Sequence, residues 1–319
     1  MKRRGLIPLV AGLGLTYALP LAAQQPRPAR IGVLVLANWE RPYAQIKDGL
    51  RELGYIEGKN LTIELRSAQG KAEALDGLAA ELVALKVDVI VALLTPAVMA
   101  AKRATSSIPI VMAGAGDPVG TGIVASLARP GGNITGISTF GPELASKTLE
   151  FMRELRPGTA RVAVLANATD PFTKPMLEQL EMGAKTLRME LLPTHVRGES
   201  EYEAAFAAWA KQRVDAVFIQ PSLGLRRANE LALQHRLPAY SFVRSFVDSG
   251  GLLTYTASDK ERYKRTAWYI DKILKGAKPA DLPVEQPTIF DLVINGKTAK
   301  ALGITIPPTM LLRATEVIE

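Results

Sequence analysis

From Arg30 onward the chain alternates short β-branched apolar runs with stretches of helical period, completes that pattern, and then starts it again. Apolar runs without a polar face suit strands buried on both sides of a parallel sheet, and parallel neighbours need helical crossovers. The first series reads as strands at 30–36, 61–65, 87–92 and 108–112. Helices fall between them at 43–53, 71–85 and 95–104. Asp117-Pro118 is expected to open a further helix, the turn-forming stretch 128–133 breaks the rhythm, and 134–139 resumes as a strand. The second series places strands at 161–166, 190–195, 216–219 and 239–242 and helices at 172–187, 201–213 and 225–235. Beyond Gly250 the remaining pieces, including a helix at 259–274, a strand at 289–294 and a short helix at 297–302, are too few for a third domain. They are expected to return across the gap and complete the two halves. The fold class is therefore α/β, with two Rossmann-like lobes on parallel sheets joined by hinge crossovers. Lobe 1 is expected over 30–138 plus about 256–282, and lobe 2 over 139–255 plus about 283–319.

The first residues carry a different signal. Lys2, Arg3 and Arg4 precede an apolar stretch from Leu6 to Ala23 that ends in Leu21-Ala22-Ala23, the pattern of a cleaved secretory leader over 1–23. Leu21 is larger than the residue usually preferred three positions before a cut, and a retained anchor is the alternative. The chain has no cysteine, so attachment as a lipoprotein is excluded, along with disulfides, thiolate nucleophiles and cysteine zinc sites. Two histidines leave little for a metal centre, and no cofactor is expected. Removing the leader takes three positive charges from a formal net of +8. What remains is mild, and the basic residues are mixed with acidic ones, as in Asp259 to Arg265, which reads as a solvated helix face. Nucleic acid is not an expected partner.

No catalytic constellation emerges. A Walker loop and a Gly-x-Ser-x-Gly elbow are both missing, and Gly114 to Gly120 has the wrong glycine spacing for a dinucleotide site. His195 and His235 have no serine or cysteine partner by spacing. The informative residues are polar or aromatic groups just past strand ends, where open α/β sheets take ligands. In the first half these are Asn38, Trp39 and Tyr43, then Thr95 and Asp117. Thr95-Pro96 has the form of an N-cap followed by proline at the first helical position, which would aim free N–H groups at a carboxylate. Asp117 would suit an ammonium group, or would only cap its helix. In the second half the corresponding residues are Asn167, Asp170, Gln220, Ser222, Phe242 and Arg244. A charge pair of this kind describes an amino acid better than a sugar, and the aromatics favour a bulky apolar side chain.

Several strings, in order, carry a resemblance. They are Asp117-Pro118-Val119-Gly120, the run from Leu127 to Gly136, Ile273-Leu274-Lys275-Gly276-Ala277-Lys278-Pro279, Leu282-Pro283-Val284-Glu285-Gln286-Pro287, Asp291 to Asn295 and Thr298 to Gly303. Over nearly all of 30–319 the chain resembles the ABC transporter substrate-binding proteins of the tryptophan-binding (TrpX-like) group. That resemblance implies a type I periplasmic binding protein without catalysis, a monomer that holds a small-molecule ligand between its lobes. It also implies a periplasmic location and an ABC permease in the inner membrane as partner. It links the group to amino acids, aromatic ones included, with Thr95 and Asp117 as carboxylate and ammonium contacts. The chain departs from the pattern at Tyr255-Thr256-Ala257-Ser258, where a glycine is usual, and at Gln220, where an acid is common. Ligand-sensing modules of receptors or regulators share the fold and stand as the alternative. The repressors among them carry a helix-turn-helix where this chain has its leader.

Overall fold

A computed structural model describes residues 27–37, 40–139 and 142–319. The leader over 1–23 lies outside the described residues, as do Asn38 and Trp39. The first sheet is built from β1 (Ala29–Val35), β2 (Leu61–Ser67), β3 (Val89–Ala92), β4 (Ile110–Ala115) and β5 (Ile134–Ser138). Its order is β2-β1-β3-β4-β5, and every pairing is parallel. Helices α1 (Glu40–Glu52), α2 (Leu75–Ala84) and α3 (Leu94–Ala104) are its crossovers. Next comes α4 (Pro142–Leu155), and the second sheet follows with β6 (Arg161–Asn167), β7 (Glu190–Val196), β8 (Ala216–Ile219), β9 (Ala239–Ser241) and β10 (Leu253–Ala257). Between these strands run α5 (Thr173–Leu187), α6 (Tyr202–Gln212), α7 (Leu225–Gln234) and α8 (Arg244–Asp248). The chain then forms α9 (Asp259–Leu274), β11 (Phe290–Asn295), α10 (Gly296–Leu302), α11 (Pro308–Arg313) and β12 (Glu316–Ile318). The second sheet runs β12-β11-β10-β9-β8-β6-β7.

Period-two alternation within strands sorts the cores. Ile31, Val33 and Val35 of β1 point to one face, where they meet Ile46 and Leu50 of α1 and Tyr263, Ala267 and Ile270 of α9. Leu34 points to the other, against Leu75, Ala79 and Leu82 of α2 and Val98 of α3. Each such leucine or isoleucine, taken fully out of water, contributes roughly 1.5 to 3 kcal/mol. The second sheet is covered likewise, by α4 and α5 on one face and by α6, α7 and α8 on the other. Trp209 is wholly enclosed there, its Nε1 donating to Thr194 Oγ1 at 3.0 Å.

Helix α9 follows a strand of the second sheet yet packs on α1 and on β3, β4 and β5 of the first. The chain therefore passes between the sheets three times: after β5, between β10 and α9, and after Glu285, which pairs with Ile137 beside β5. This path explains the one antiparallel pairing, β10 with β11. β10 ends at the edge where the chain leaves for the first sheet. The chain comes back at that same edge, so β11 must run the opposite way.

Three expectations need correction. Residues 118–128 form turns and bends instead of a helix after Asp117. Helix α4 is missing from the sequence reading, although Leu144, Leu149, Met152 and Leu155 mark its buried face. The first turn of α9 is solvated on one side only: Asp259 and the Arg262 side chain are buried, while Lys260, Glu261 and Lys264 are exposed. Arg265 is half-buried, stacking 3.5 Å above the Trp268 ring and forming a two-pronged pair with Glu285.

Gly136, in β5, has φ +127°, and a β-carbon there would lie 2.3 Å from the Met112 carbonyl oxygen of β4. Both the dihedral and the contact involve main chain, so nothing flexible can yield. Gly136→Ala should cost about 2 to 4 kcal/mol. Urea unfolding that shows a loss below about 1 kcal/mol would contradict this account of the β4–β5 seam.

Candidate functional site

Parallel strands all end at one edge, and in this molecule the carboxyl-terminal edges of the two sheets face each other. The gap between them is a cleft of about 400 Å³. From the first sheet it takes Leu36, Leu93, Leu94, Ala113 and Gly114, with Glu40 and Arg41 of α1. The second contributes Ser222, Leu223, Leu225, Val243, Arg244 and Asp248. The first turn of α9, through Asp259, Arg262 and Tyr263, closes the hinge end. A water-sized recess of about 30 Å³ adjoins the cleft, with Thr95, Gly116, Asp170, Phe172, Ser222 and Phe242 in its walls.

The strand-end residues separate into groups. Thr95 is buried, but it does not cap α3: the N-cap is Leu93, and Leu94 starts the helix with φ +68°. The Thr95 hydroxyl instead accepts from the Gly116 N–H at 3.1 Å, tying the start of α3 to the end of β4. Capping chemistry and a contact across neighbouring strands need the same side chain, and sequence does not separate them. Asp117 turns into its own loop, where Oδ1 accepts from Gly120 N at 2.9 Å and its carbonyl accepts from the Thr121 hydroxyl at 2.7 Å. It lines neither the cleft nor the recess. Tyr43 also lies elsewhere, donating to Glu57 at 2.8 Å, with its phenol pushed up to about 12 by burial and by that carboxylate.

In the second half, Asn167, Asp170, Gln220 and Ser222 are buried together as one hydrogen-bonded group. Gln220 Oε1 accepts from Asn167 N at 2.8 Å, while its Nε2 donates to Asp170 Oδ2 at 3.0 Å. The Ser222 hydroxyl donates to the same oxygen at 2.6 Å and accepts from Asn167 Nδ2 at 3.2 Å. Phe172 N donates to the other oxygen of Asp170 at 2.9 Å. Gln220 thus lies behind the recess as a support, and an acid in its place would set a second carboxylate against Asp170. Phe242 packs on Phe218 with ring centroids 4.5 Å apart. Arg244 lines the cleft but is committed to Asp248, at 3.0 Å, and to both carboxylate oxygens of Glu316 on β12.

Other residues at the site went unread. Phe172 crosses from the second half and rests on Gly116, where a β-carbon would be 2.4 Å from the ring. Arg41 reaches across from α1, its Nη1 3.8 Å from Asp248 and its Nε 3.6 Å from Asp259. Arg262 pairs with Asp259 three residues back and donates to the Tyr263 hydroxyl at 2.8 Å. A possible signal for the last pair was position: both charges sit in the first turn of a helix that follows a crossing segment.

Burial raises the Asp170 carboxyl above its ordinary range, outweighing the donors from Ser222, Phe172 and Gln220 that favour ionisation. A carboxyl held higher in the fold than in the unfolded chain binds its proton more tightly when folded. Its stabilising contribution is complete below the unfolded value, about 3.9, and is lost as pH rises through the folded value. Asp170→Asn cannot ionise. Its melting temperature relative to the unsubstituted protein should therefore climb as pH is raised from about 4 to 7. Thermal unfolding across that series checks it, and a constant difference would mean that Asp170 is not raised.

Comparison with known proteins fits this architecture. Residues 38–318 match the family model described as ABC transporter substrate binding protein. A tyrosine-binding protein of Clostridioides difficile (strain R20291) is 29% identical over 260 residues, covering 80% of this chain and 74% of that protein. The crystal structure of an ABC domain from Streptococcus pneumonia in complex with L-Trp superposes with a TM-score of 0.84 at 30% identity, over 91% of this chain and 100% of the other. At 14% identity, a 5-methylthioribose transporter solute-binding protein from Thermotoga lettingae shares the fold with a TM-score of 0.60, over 90% of this chain and 96% of the other. Two mostly parallel sheets, three chain crossings and a cleft between facing strand ends are the type I periplasmic binding fold, and the chain belongs to the ABC transporter substrate-binding protein family.

Proposed function

We propose that this protein is the extracytoplasmic binding component of an ABC importer and that it captures an amino acid with an aromatic or bulky apolar side chain. The observation that carries the reading is the cleft itself, built by both halves and lined at once by leucines and by buried charges. Its volume suits a small molecule of this size, whereas the recess beside it is water-sized. The ligand therefore lies in the cleft, its side chain against Leu36, Leu93, Leu94, Leu223, Leu225 and Val243. The pneumococcal complex with L-Trp and the clostridial tyrosine-binding protein support the same ligand class.

In this reading residues 1–23 are a cleaved leader, the mature chain works as a monomer in the periplasm, and a permease in the inner membrane receives the ligand. No helix among the described residues is long and apolar enough to cross a membrane. Lobe 1 comprises 30–138 and about 256–282, and lobe 2 comprises 139–255 and about 283–319. A ligand touching both lobes favours the closed arrangement by its differential affinity for it.

A thermal-shift screen of the twenty amino acids, their amides and common sugars tests the ligand class. A ligand at 100 times its dissociation constant stabilises by about 2.7 kcal/mol, and tryptophan, tyrosine or phenylalanine should give the largest shift. A sugar leading the screen would overturn the reading. Small-angle scattering of stripped protein should show compaction on adding the same ligand.

A further inference from the structure

We infer that Arg262 holds the carboxylate of the bound amino acid and makes the cleft selective for free acids over their amides. This rests on the ligand class proposed above and assigns which end of the ligand lies at the hinge. Three of the charged groups lining the cleft are about nine-tenths buried: Arg244, Asp259 and Arg262. Glu40, Glu199 and Arg226 are exposed and remain solvated. Arg244 is engaged at every nitrogen of its guanidinium, by Asp248 and by both oxygens of Glu316.

Arg262 is not. A guanidinium carries five N–H donors, and among the described residues its hydrogen bonds run from Nη2 alone, to Asp259 and to the Tyr263 hydroxyl. Nε is buried without a partner. Nη1 lies beside Gly114, close enough that a β-carbon on that residue would sit 2.9 Å away, and Gly114 itself lines the cleft. Asp259 also divides its charge between Arg262 and Arg41. The Tyr263 ring, 4.6 Å from the guanidinium, holds it in place and leaves Nε and Nη1 unspent. A buried cation with Nη1 unspent and half a counter-ion is matched by a carboxylate, which accepts a charge-assisted N–H bond. The first turn of the sixteen-residue α9 adds its positive end in the same place.

Titration calorimetry with L-tryptophan, L-tyrosine and their amides tests the assignment. The unsubstituted protein should prefer the free acid by about 30-fold, in line with a charge-assisted hydrogen-bonded contact. Arg262→Gln should reduce that preference below about 3-fold by weakening the acid while leaving the amide within about 2-fold. A merely structural role would lower both ligands together and leave the ratio intact, and an intact ratio overturns the assignment. Should Arg262→Gln fail to fold, Arg262→Lys decides, because it keeps the charge but withdraws the N–H groups that the guanidinium presents beside Gly114. A preference for the free acid left at its unsubstituted value in that variant overturns the assignment to the guanidinium. Failure of the unsubstituted protein to bind these acids or any other amino acid with an aromatic or bulky apolar side chain would instead refute the proposed ligand class, and this assignment with it.

Discussion

The molecule depends on one constraint of parallel sheets: strands joined by crossover helices all release their chain at the same edge. That edge cannot be apolar, because it carries turns, helix starts and unpaired main-chain groups. Two such edges set face to face create a polar-rimmed gap with hydrophobic floors, and the three passes of the chain keep them opposed. Three polar side chains hold this seam together. Thr95 ties neighbouring loops of the first sheet, Asp170 organises those of the second, and Arg41 spans the gap between them.

Buried polar groups at the seam divide by whether their bonds are complete. The Asn167, Asp170, Gln220 and Ser222 group is internally satisfied, so it fixes loop shape. Arg244 behaves likewise toward Glu316. Arg262 stands apart because its neighbours leave donors over. The difference between a structural and a receptive charge lies in that surplus, not in residue type.

Much of the fold was legible because strand and helix periods are local properties. The run Ile31 to Val35 and the stretch around Ile46 and Leu50 disclose their faces without any knowledge of partners. Asp117 and Thr95 were harder, since a short polar side chain followed by proline fits a helix cap, a turn or a contact between loops equally well. The structure uses Asp117 in a turn and Thr95 between loops. Arg262 and Asp259 were obscured by the charges around them. Which turn of a helix faces the opposite half is set by where the chain returns in space, and a charge pattern such as Asp259 to Arg265 holds no record of that.

The return of the chain also governs the order in which this molecule can assemble. β10 is made before α9, but its neighbour β11 comes only after the first sheet has received α9 and the Glu285 segment. Until then β10 is an open edge, its ladder groups free to pair with a foreign strand. The second half is consequently unable to complete its sheet until β11 and β12 have been made. Arg244 waits as well, because its carboxylate partner Glu316 lies on β12, which joins the sheet beyond β11. Loss of β12 would therefore strip a buried cation far upstream of one of its two carboxylate partners and leave it Asp248, an effect on the quality of nascent chains and not only on the rim of the sheet.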